Sequence, residues 1–133
     1  MVVLDTNVII DHLRQSNTTI DTHLMEVAKK ISKESLAISV ISIQELYEGK
    51  STRNKSKEMY LLTTISALKI LPYTYEIAKL AGEIARDLNR STELADAAIA
   101  ATCIINSAEL FTLNAKHFKN INNLELAILK EKN

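Results

Sequence analysis

Short strand-like runs alternate with amphipathic helical stretches along the whole of this sequence, and Gly49, Gly82 and Pro72 are the only glycines and proline among them. With so few breakers the helices are long and the connections short. Alternation of this kind points to an α/β fold, a central parallel sheet flanked by helices on both faces, because parallel strands need a crossover and helices supply it. Val2-Val3-Leu4 opens the pattern as a buried strand. Ile20, Leu24, Val27, Ala28 and Ile31 recur at helical spacing and predict an amphipathic helix over 17–32. A second strand is expected over 36–41, followed by a helix carrying Ile43, Leu46 and Tyr47 and closed by Gly49. Met59, Leu62 and Ile65 lie on one face of the next helix, and the strand 68–71 ends at Pro72. Thr74 then caps the clearest stripe in the chain, Ile77, Leu80, Ala81, Ile84, Ala85 and Leu88, which is expected to face the core. Ser91-Thr92-Glu93 opens a helix whose small-residue stripe of Ala97, Ala98 and Ala101, between Leu94 and Ile104, lets it approach the sheet closely. A strand over 110–112, a turn-rich stretch over 114–120 and a last strand over 124–129 complete the reading. At 133 residues, 47% of them hydrophobic, residues 1–133 read as one domain able to bury a core of its own.

Where each early strand hands over to a helix there is a carboxylate. Asp5-Thr6-Asn7 follows the first strand, Glu45 lies three residues beyond Ser42 after the second, and Asp96 falls in the first turn of the small-residue helix. Each has a structural reading of its own. Asp-Thr-Asn is good turn and N-cap material, Ser42-Ile43-Gln44-Glu45 has the form of a capping box, and a helix dipole favours an acid at Asp96 by about 0.3–1 kcal/mol. Together they say more, because the carboxyl ends of parallel strands share one edge and these acids would meet there beside Asn114. Two like charges ~4 Å apart at an effective dielectric of ~20 repel by about 4 kcal/mol. Three such pairs rival the ~5–15 kcal/mol stability of a whole domain. A cluster of this kind calls for a cation, and hard oxygen donors without a Cys or His pair select Mg²⁺ or Mn²⁺, with Asn114 able to add a neutral carbonyl oxygen.

Bulk properties narrow the classes without choosing among them. Sixteen basic residues balance sixteen acidic ones, so no net field argues for nucleic acid. The single cysteine, Cys103, rules out an internal disulfide, fits a reducing compartment and reads as a small buried hydrophobe. No apolar stretch approaches the ~18 residues of a membrane span, so no membrane association and a cytoplasmic location are expected. Asp11 and His12 are assigned no chemistry, and His23 reads as a surface residue of its helix.

The segments Val3-Leu4-Asp5-Thr6-Asn7-Val8-Ile9-Ile10, Ser42-x-x-Glu45-Leu46, Leu94-Ala95-Asp96-Ala97-Ala98-Ile99-Ala100-Ala101-Thr102 and Phe111-Thr112-Leu113-Asn114-Ala115-Lys116-His117-Phe118 together resemble a PIN-domain protein. They are most similar to the VapC toxins of toxin–antitoxin pairs. No single segment is specific; the ordered set covers nearly the whole chain. The resemblance implies a Rossmann-like PIN domain and a metal-dependent ribonuclease, with Asp5, Glu45 and Asp96 as catalytic metal ligands and Asn114 as a further ligand. It also implies supporting roles for Thr6 and Thr112, with Asn7 helping to shape the turn. One position departs from the pattern: His117 stands where many relatives carry Asp, so a second metal site is poorly furnished. Glu93, one helical turn before Asp96, reads as a helix-start acid.

The chemistry implied is in-line hydrolysis of RNA phosphodiester bonds at carboxylate-bound Mg²⁺ or Mn²⁺, with no side-chain nucleophile. Lys50, Arg53, Lys55 and Lys57 are candidates to steer RNA phosphates, against the alternative of a solvated loop, and Lys116 and His117 are candidates for backbone contact. An aspartyl phosphatase fits poorly, since Asn7 occupies the place of its second acid. The competing class is a binding-only PIN module for RNA or a protein partner. The family also implies a cognate antitoxin and a homodimer.

Overall fold

The computed structural model describes residues 1–15 and 19–128. Its sheet has four parallel strands, β1 (Val2–Leu4), β2 (Leu36–Ser39), β3 (Lys69–Leu71) and β4 (Glu109–Phe111), in the order β3-β2-β1-β4. Val3 pairs with Ala37 on one side and Leu110 on the other, which makes β1 a central strand. Six α-helices accompany the sheet: α1 (Thr6–Arg14), α2 (His23–Lys30), α3 (Val40–Glu48), α4 (Lys55–Ser66), α5 (Tyr75–Asp87) and α6 (Leu94–Ile105).

Alternation along β1 assigns the layers. Val2 and Leu4 face a cluster with Val8 and Ile9 of α1, Val27 of α2 and Leu61 and Ile65 of α4. Val3 faces the opposite way, into a cluster with Ile99, Ala100 and Cys103 of α6. Because side chains on a strand point alternately to its two faces, the expected sandwich of helices around a parallel sheet is what forms. The small residues do what their size permits. Ala97 through Cys103 are all buried, α5 packs along α6, and Ala81 meets Ala97 and Ala101 between them. Deep burial pushes the Cys103 thiol up to about 12, so it is a small hydrophobe as expected and no nucleophile.

Several boundaries differ from the sequence reading, each for a local reason. The helix expected over 17–32 begins only at His23, because the Thr22 hydroxyl accepts from the Met25 N–H and caps it there; Ile20 is exposed, and residues 16–18 lie outside the described residues. Strand β2 stops at Ser39 and α3 starts at Val40, two residues earlier than its β-branched run suggests. Ser39 is the cap, accepting from Ile41 N–H at 3.1 Å, so Ser42 and Glu45 form no capping box. On α4 the buried face is Leu61 and Ile65, while Met59 and Leu62 point outward. Helix α5 buries Ile77 and Ala81 fully, leaves Leu80, Ile84 and Leu88 half-buried and exposes Ala85, because only α6 covers it closely. The last strand reduces to a single parallel bridge between Leu110 and Leu126, and Leu129 lies outside the described residues.

His12 ties three helices together. Its Nδ1 is 2.7 Å from the Thr22 hydroxyl at the start of α2, its Nε2 is 3.0 Å from the Tyr60 hydroxyl of α4, and its ring stacks on Tyr60 with centroids 5.7 Å apart. Burial lowers its pKa, against a smaller pull from Asp11, so the neutral ring is the native form. His12→Ala removes one partner each from the Thr22 and Tyr60 hydroxyls and opens a void. It is expected to lower the unfolding free energy by about 2 kcal/mol in urea titration, with an unchanged slope.

Candidate active site

Four segments far apart in sequence meet at the carboxyl edge of the sheet. Asp5 is the first residue beyond β1, and its backbone N–H continues the pairing with β4 by donating to Phe111 C=O at 2.9 Å. It is the N-cap of α1, but its side chain accepts from the adjacent Thr6 N–H at 2.7 Å rather than from the deeper free amides. Asn7, expected to help shape the turn, lies inside α1 and bridges to the loop after β4. Its Oδ1 accepts from Leu113 N–H at 3.3 Å, and its Nδ2 approaches Thr112 Oγ1 at 3.4 Å.

The rest of the constellation is joined by hydrogen bonds and, at its Asp96 end, one charge pair. Thr6 Oγ1 is 2.6 Å from Glu45 Oε1 and 2.8 Å from Ser42 Oγ. Since a hydroxyl has one proton, donation to the carboxylate leaves Ser42 to donate to Thr6. From Asp5 the chain runs through Thr112, whose hydroxyl donates to Asp5 Oδ2 at 2.7 Å and accepts from Asn114 N–H at 3.0 Å. Asn114 Nδ2 is 2.9 Å from His117 Nε2, and His117 Nδ1 is 3.3 Å from Asp96 Oδ2. Glu45, Thr6, Asp5, Thr112, Asn114, His117 and Asp96 are therefore linked end to end, from α3 to α6.

Electrostatics agree with convergence. Asp5 is 6% exposed, and burial raises its pKa although Thr112, Thr6 N–H and His117 all pull it down. Burial also raises Glu45, with Asp5, Glu48 and Glu93 adding to the rise against Thr6. Asp96 goes up to about 6, through burial first and the charge of Asp5 next, with His117 opposing and Glu93 and Glu45 contributing. Burial raises all three carboxylates, and the charge of Asp5 raises Glu45 and Asp96 further. Among the described residues, no three His, Cys, Asp or Glu side chains are grouped closely enough to hold a metal ion between them as they stand.

Two contributors escape a reading of the sequence. Ser42 is fully buried against Thr6 rather than capping a helix, and its neighbour Ser39, with the same side chain, gives no signal of which does which. Arg90 donates through one terminal nitrogen to the carbonyls of His117 and Lys119, at 3.0 and 2.7 Å, and so braces the 3₁₀ turn Ala115–Phe118 that carries His117. It lies 27 residues away and in no motif. The candidate RNA contacts Arg53, Lys55 and Lys116 are exposed, the first two just beyond α3, and none has a described hydrogen bond to the acid network. Among the described residues no helix is long and apolar enough to cross a membrane.

Comparison with known proteins identifies the family and fold. The family model described as PIN domain matches residues 2–124. Ribonuclease VapC10 of Mycobacterium tuberculosis is 36% identical over 121 residues, which are 89% of this chain and 86% of that protein. The crystal structure of VapBC2 from Rickettsia felis bound to a DNA fragment from its promoter contains a chain with a TM-score of 0.79 and 28% identity. The match covers 96% of this chain and 98% of that one. DNA-bound VapBC from Salmonella typhimurium gives the same TM-score at 22% identity, covering 95% and 96%, and speaks for the fold.

Proposed function

Because this chain belongs to the PIN-domain family, we propose that it is a Mg²⁺- or Mn²⁺-dependent endoribonuclease, the toxin of a VapBC-type pair. The observation that carries the reading is the hydrogen-bonded chain from Glu45 through Thr6, Asp5, Thr112 and Asn114 to His117, which faces Asp96 at 3.3 Å. A purely structural set of helix-start acids has no reason to be wired together across four segments.

The donor set supports a hard divalent cation. Asp5, Glu45 and Asp96 would hold it, with Asn114 as a neutral fourth donor, and each acid keeps lone pairs that its present hydrogen bonds leave unused. Burial already raises all three pKa values, the charge of Asp5 adds to the rise of Glu45 and Asp96, and a cation offsets the cost of drawing the carboxylates together. When bound, the ion supplies charge stabilisation at the phosphoryl group and a water more easily deprotonated at neutral pH. Thr6 and Thr112 fix the Glu45 and Asp5 carboxylates, and Ser42 in turn fixes Thr6. No protein nucleophile competes with water, since the Ser42 hydroxyl is buried in that network and the Cys103 thiol is held protonated in the core. Arg53, Lys55, Lys116 and His117 are the candidates for contact with the RNA backbone.

Partners and setting follow from the same reading. An antitoxin partner is supported by the VapBC complexes among the structural relatives. A homodimer agrees with the half-buried Leu80 and Ile84 of α5 and Leu88 at its C-cap, and a cytoplasmic location with an RNA substrate. Induced expression is expected to arrest growth with loss of intact RNA, and co-expression of the adjacent small reading frame to restore it. Normal growth at high soluble expression would favour a binding-only module instead.

A further inference from the structure

The chain has six Phe and Tyr rings, and the fold accounts for four of them. Phe111 and Phe118 are buried in the core, the Tyr47 hydroxyl donates to Glu58 Oε2 at 2.8 Å, and Tyr60 stacks on His12 and shares a hydrogen bond with it. Tyr73 and Tyr75 are left over. They are 37% and 83% exposed, and among the described residues neither hydroxyl has a hydrogen-bond partner and neither ring a stacking partner. Their loop is stiff. Pro72 has a fixed φ just past β3, and Thr74 is extended (φ −91°, ψ 170°), its hydroxyl capping α5 by accepting from Ile77 N–H at 3.3 Å. Strand register puts this loop beside the acids. Val3 is level with Ala37 and Ser39 with Leu71, so Asp5, two residues beyond Val3, is level with both Ser39 and Leu71. Tyr73 therefore stands just past the same carboxyl edge as Asp5, two strand spacings or about 10 Å across the sheet.

We propose that Tyr73 and Tyr75 form a stacking platform for an unpaired base of the RNA whose backbone is cut at the acids. The inference rests on the ribonuclease reading above and adds what holds the substrate there. Three carboxylates repel a phosphate backbone, and sixteen basic residues against sixteen acidic ones supply no net attraction to offset them. Arg53, Lys55 and Lys116 offer charge to phosphates but no flat surface to a base. An aromatic ring offers that surface to any base, since every base has a π-face, and a free hydroxyl lets the ring sit at a wet contact. The neighbouring charges favour a base over a phosphate as the occupant. Lys79, one helical turn beyond Tyr75, lies within a turn of both Glu76 and Glu83, so no positive field builds up at the loop. The base must be unpaired, because in a duplex its faces are already covered by its neighbours.

Tyr73→Ala and Tyr75→Ala are each expected to weaken binding of a single-stranded RNA oligomer to the full-length protein about tenfold, read by fluorescence anisotropy in EDTA so that binding is measured apart from cleavage. Both rings are exposed, so melting temperatures should stay at the wild-type value. Tyr73→Phe and Tyr75→Phe keep the π-face and are expected to bind as wild type does, whereas Tyr73→Leu and Tyr75→Leu keep apolar bulk alone and are expected to behave like the alanine variants. A fluorescent purine placed in the oligomer is expected to be quenched by wild type and by the phenylalanine variants only. With Mg²⁺ added, the alanine variants are expected to raise KM about tenfold with kcat little changed. Alanine variants that bind and quench as wild type does, or leucine variants that match phenylalanine, overturn the platform. Unchanged RNA binding with loss of a co-expressed antitoxin would make the loop a protein-docking surface and overturns it as well. A wild type that binds and quenches the oligomer without cutting it in Mg²⁺ or Mn²⁺ sinks the ribonuclease reading instead and leaves the platform standing.

Discussion

Asp5→Asn, Glu45→Gln and Asp96→Asn are each expected to lower RNA cleavage by about 10²–10⁴-fold while leaving the circular dichroism spectrum unchanged. The range follows from the several kcal/mol of charge stabilisation that a bound divalent ion supplies in the transition state, at about 1.4 kcal/mol per tenfold. Each substitution keeps the side-chain shape and removes one charge, so the hydrogen bonds from Thr6 and Thr112 can be retained in part. The fold should therefore survive what the chemistry does not. A gel assay on total RNA with Mg²⁺ or Mn²⁺ reads the outcome, with EDTA as the matched control. Wild type and Asp5→Asn cleaving at equal rates would dismiss the nuclease assignment. A wild type that binds RNA without cutting it would favour the binding-only module.

How far the sequence reached is best seen at Glu45. Its place in a site was legible, because strand–helix alternation puts every such handover on one edge of a parallel sheet. Its local geometry was not. The run Ala37-Ile38-Ser39-Val40-Ile41 has β propensity to its end, yet the helix starts at Val40, since β-branched residues lose little in a helix that buries them and Ser39 offers a cap just before. That shift moves Glu45 into the second turn and frees Ser42 to meet Thr6. The α2 start failed for a related reason: Ile20 has the right spacing, but Thr22 caps two residues later and periodicity carries no information about caps. On α4, Met59 and Leu62 share helical spacing with Ile65, but so does Leu61, and only the tertiary structure chooses which ridge turns inward. The Asn114–His117 contact shows the same limit from the other side. His117 was visible as a departure from an acidic pattern, while its 2.9 Å approach to Asn114 and 3.3 Å approach to Asp96 exist only in the folded chain.

Without metal, wild type is expected to lose stability relative to Asp96→Asn as pH rises from 4 to 7, and with Mg²⁺ or Mn²⁺ the order is expected to reverse. Asp96 is raised from an ordinary carboxylate value of 3.8 to about 6 in the folded chain. A raised carboxyl favours the folded state most when protonated. Its contribution is complete below about pH 4, declines as pH climbs toward 6, and is gone above it. A rise of this size corresponds to at most about 3 kcal/mol, and water reaching a half-exposed cleft reduces it to about 1 kcal/mol, or roughly 4 °C in melting temperature for a chain of this length. Asp5 and Glu45 are raised as well and add in the same direction. His12 works against them, since its lowered pKa makes the native state resist protonation and costs stability as pH falls below 6.5. Comparing wild type with Asp96→Asn cancels His12, which both share, and isolates the acid at α6. Saturating metal then tests the same charges from the other side. At a hundred times its dissociation constant an ion adds about 2.7 kcal/mol, or roughly 10 °C, to wild type and far less to a variant lacking one ligand. Parallel melting curves for the two proteins across this pH range, with no response to metal in either, would mean that the three acids are helix-start residues after all.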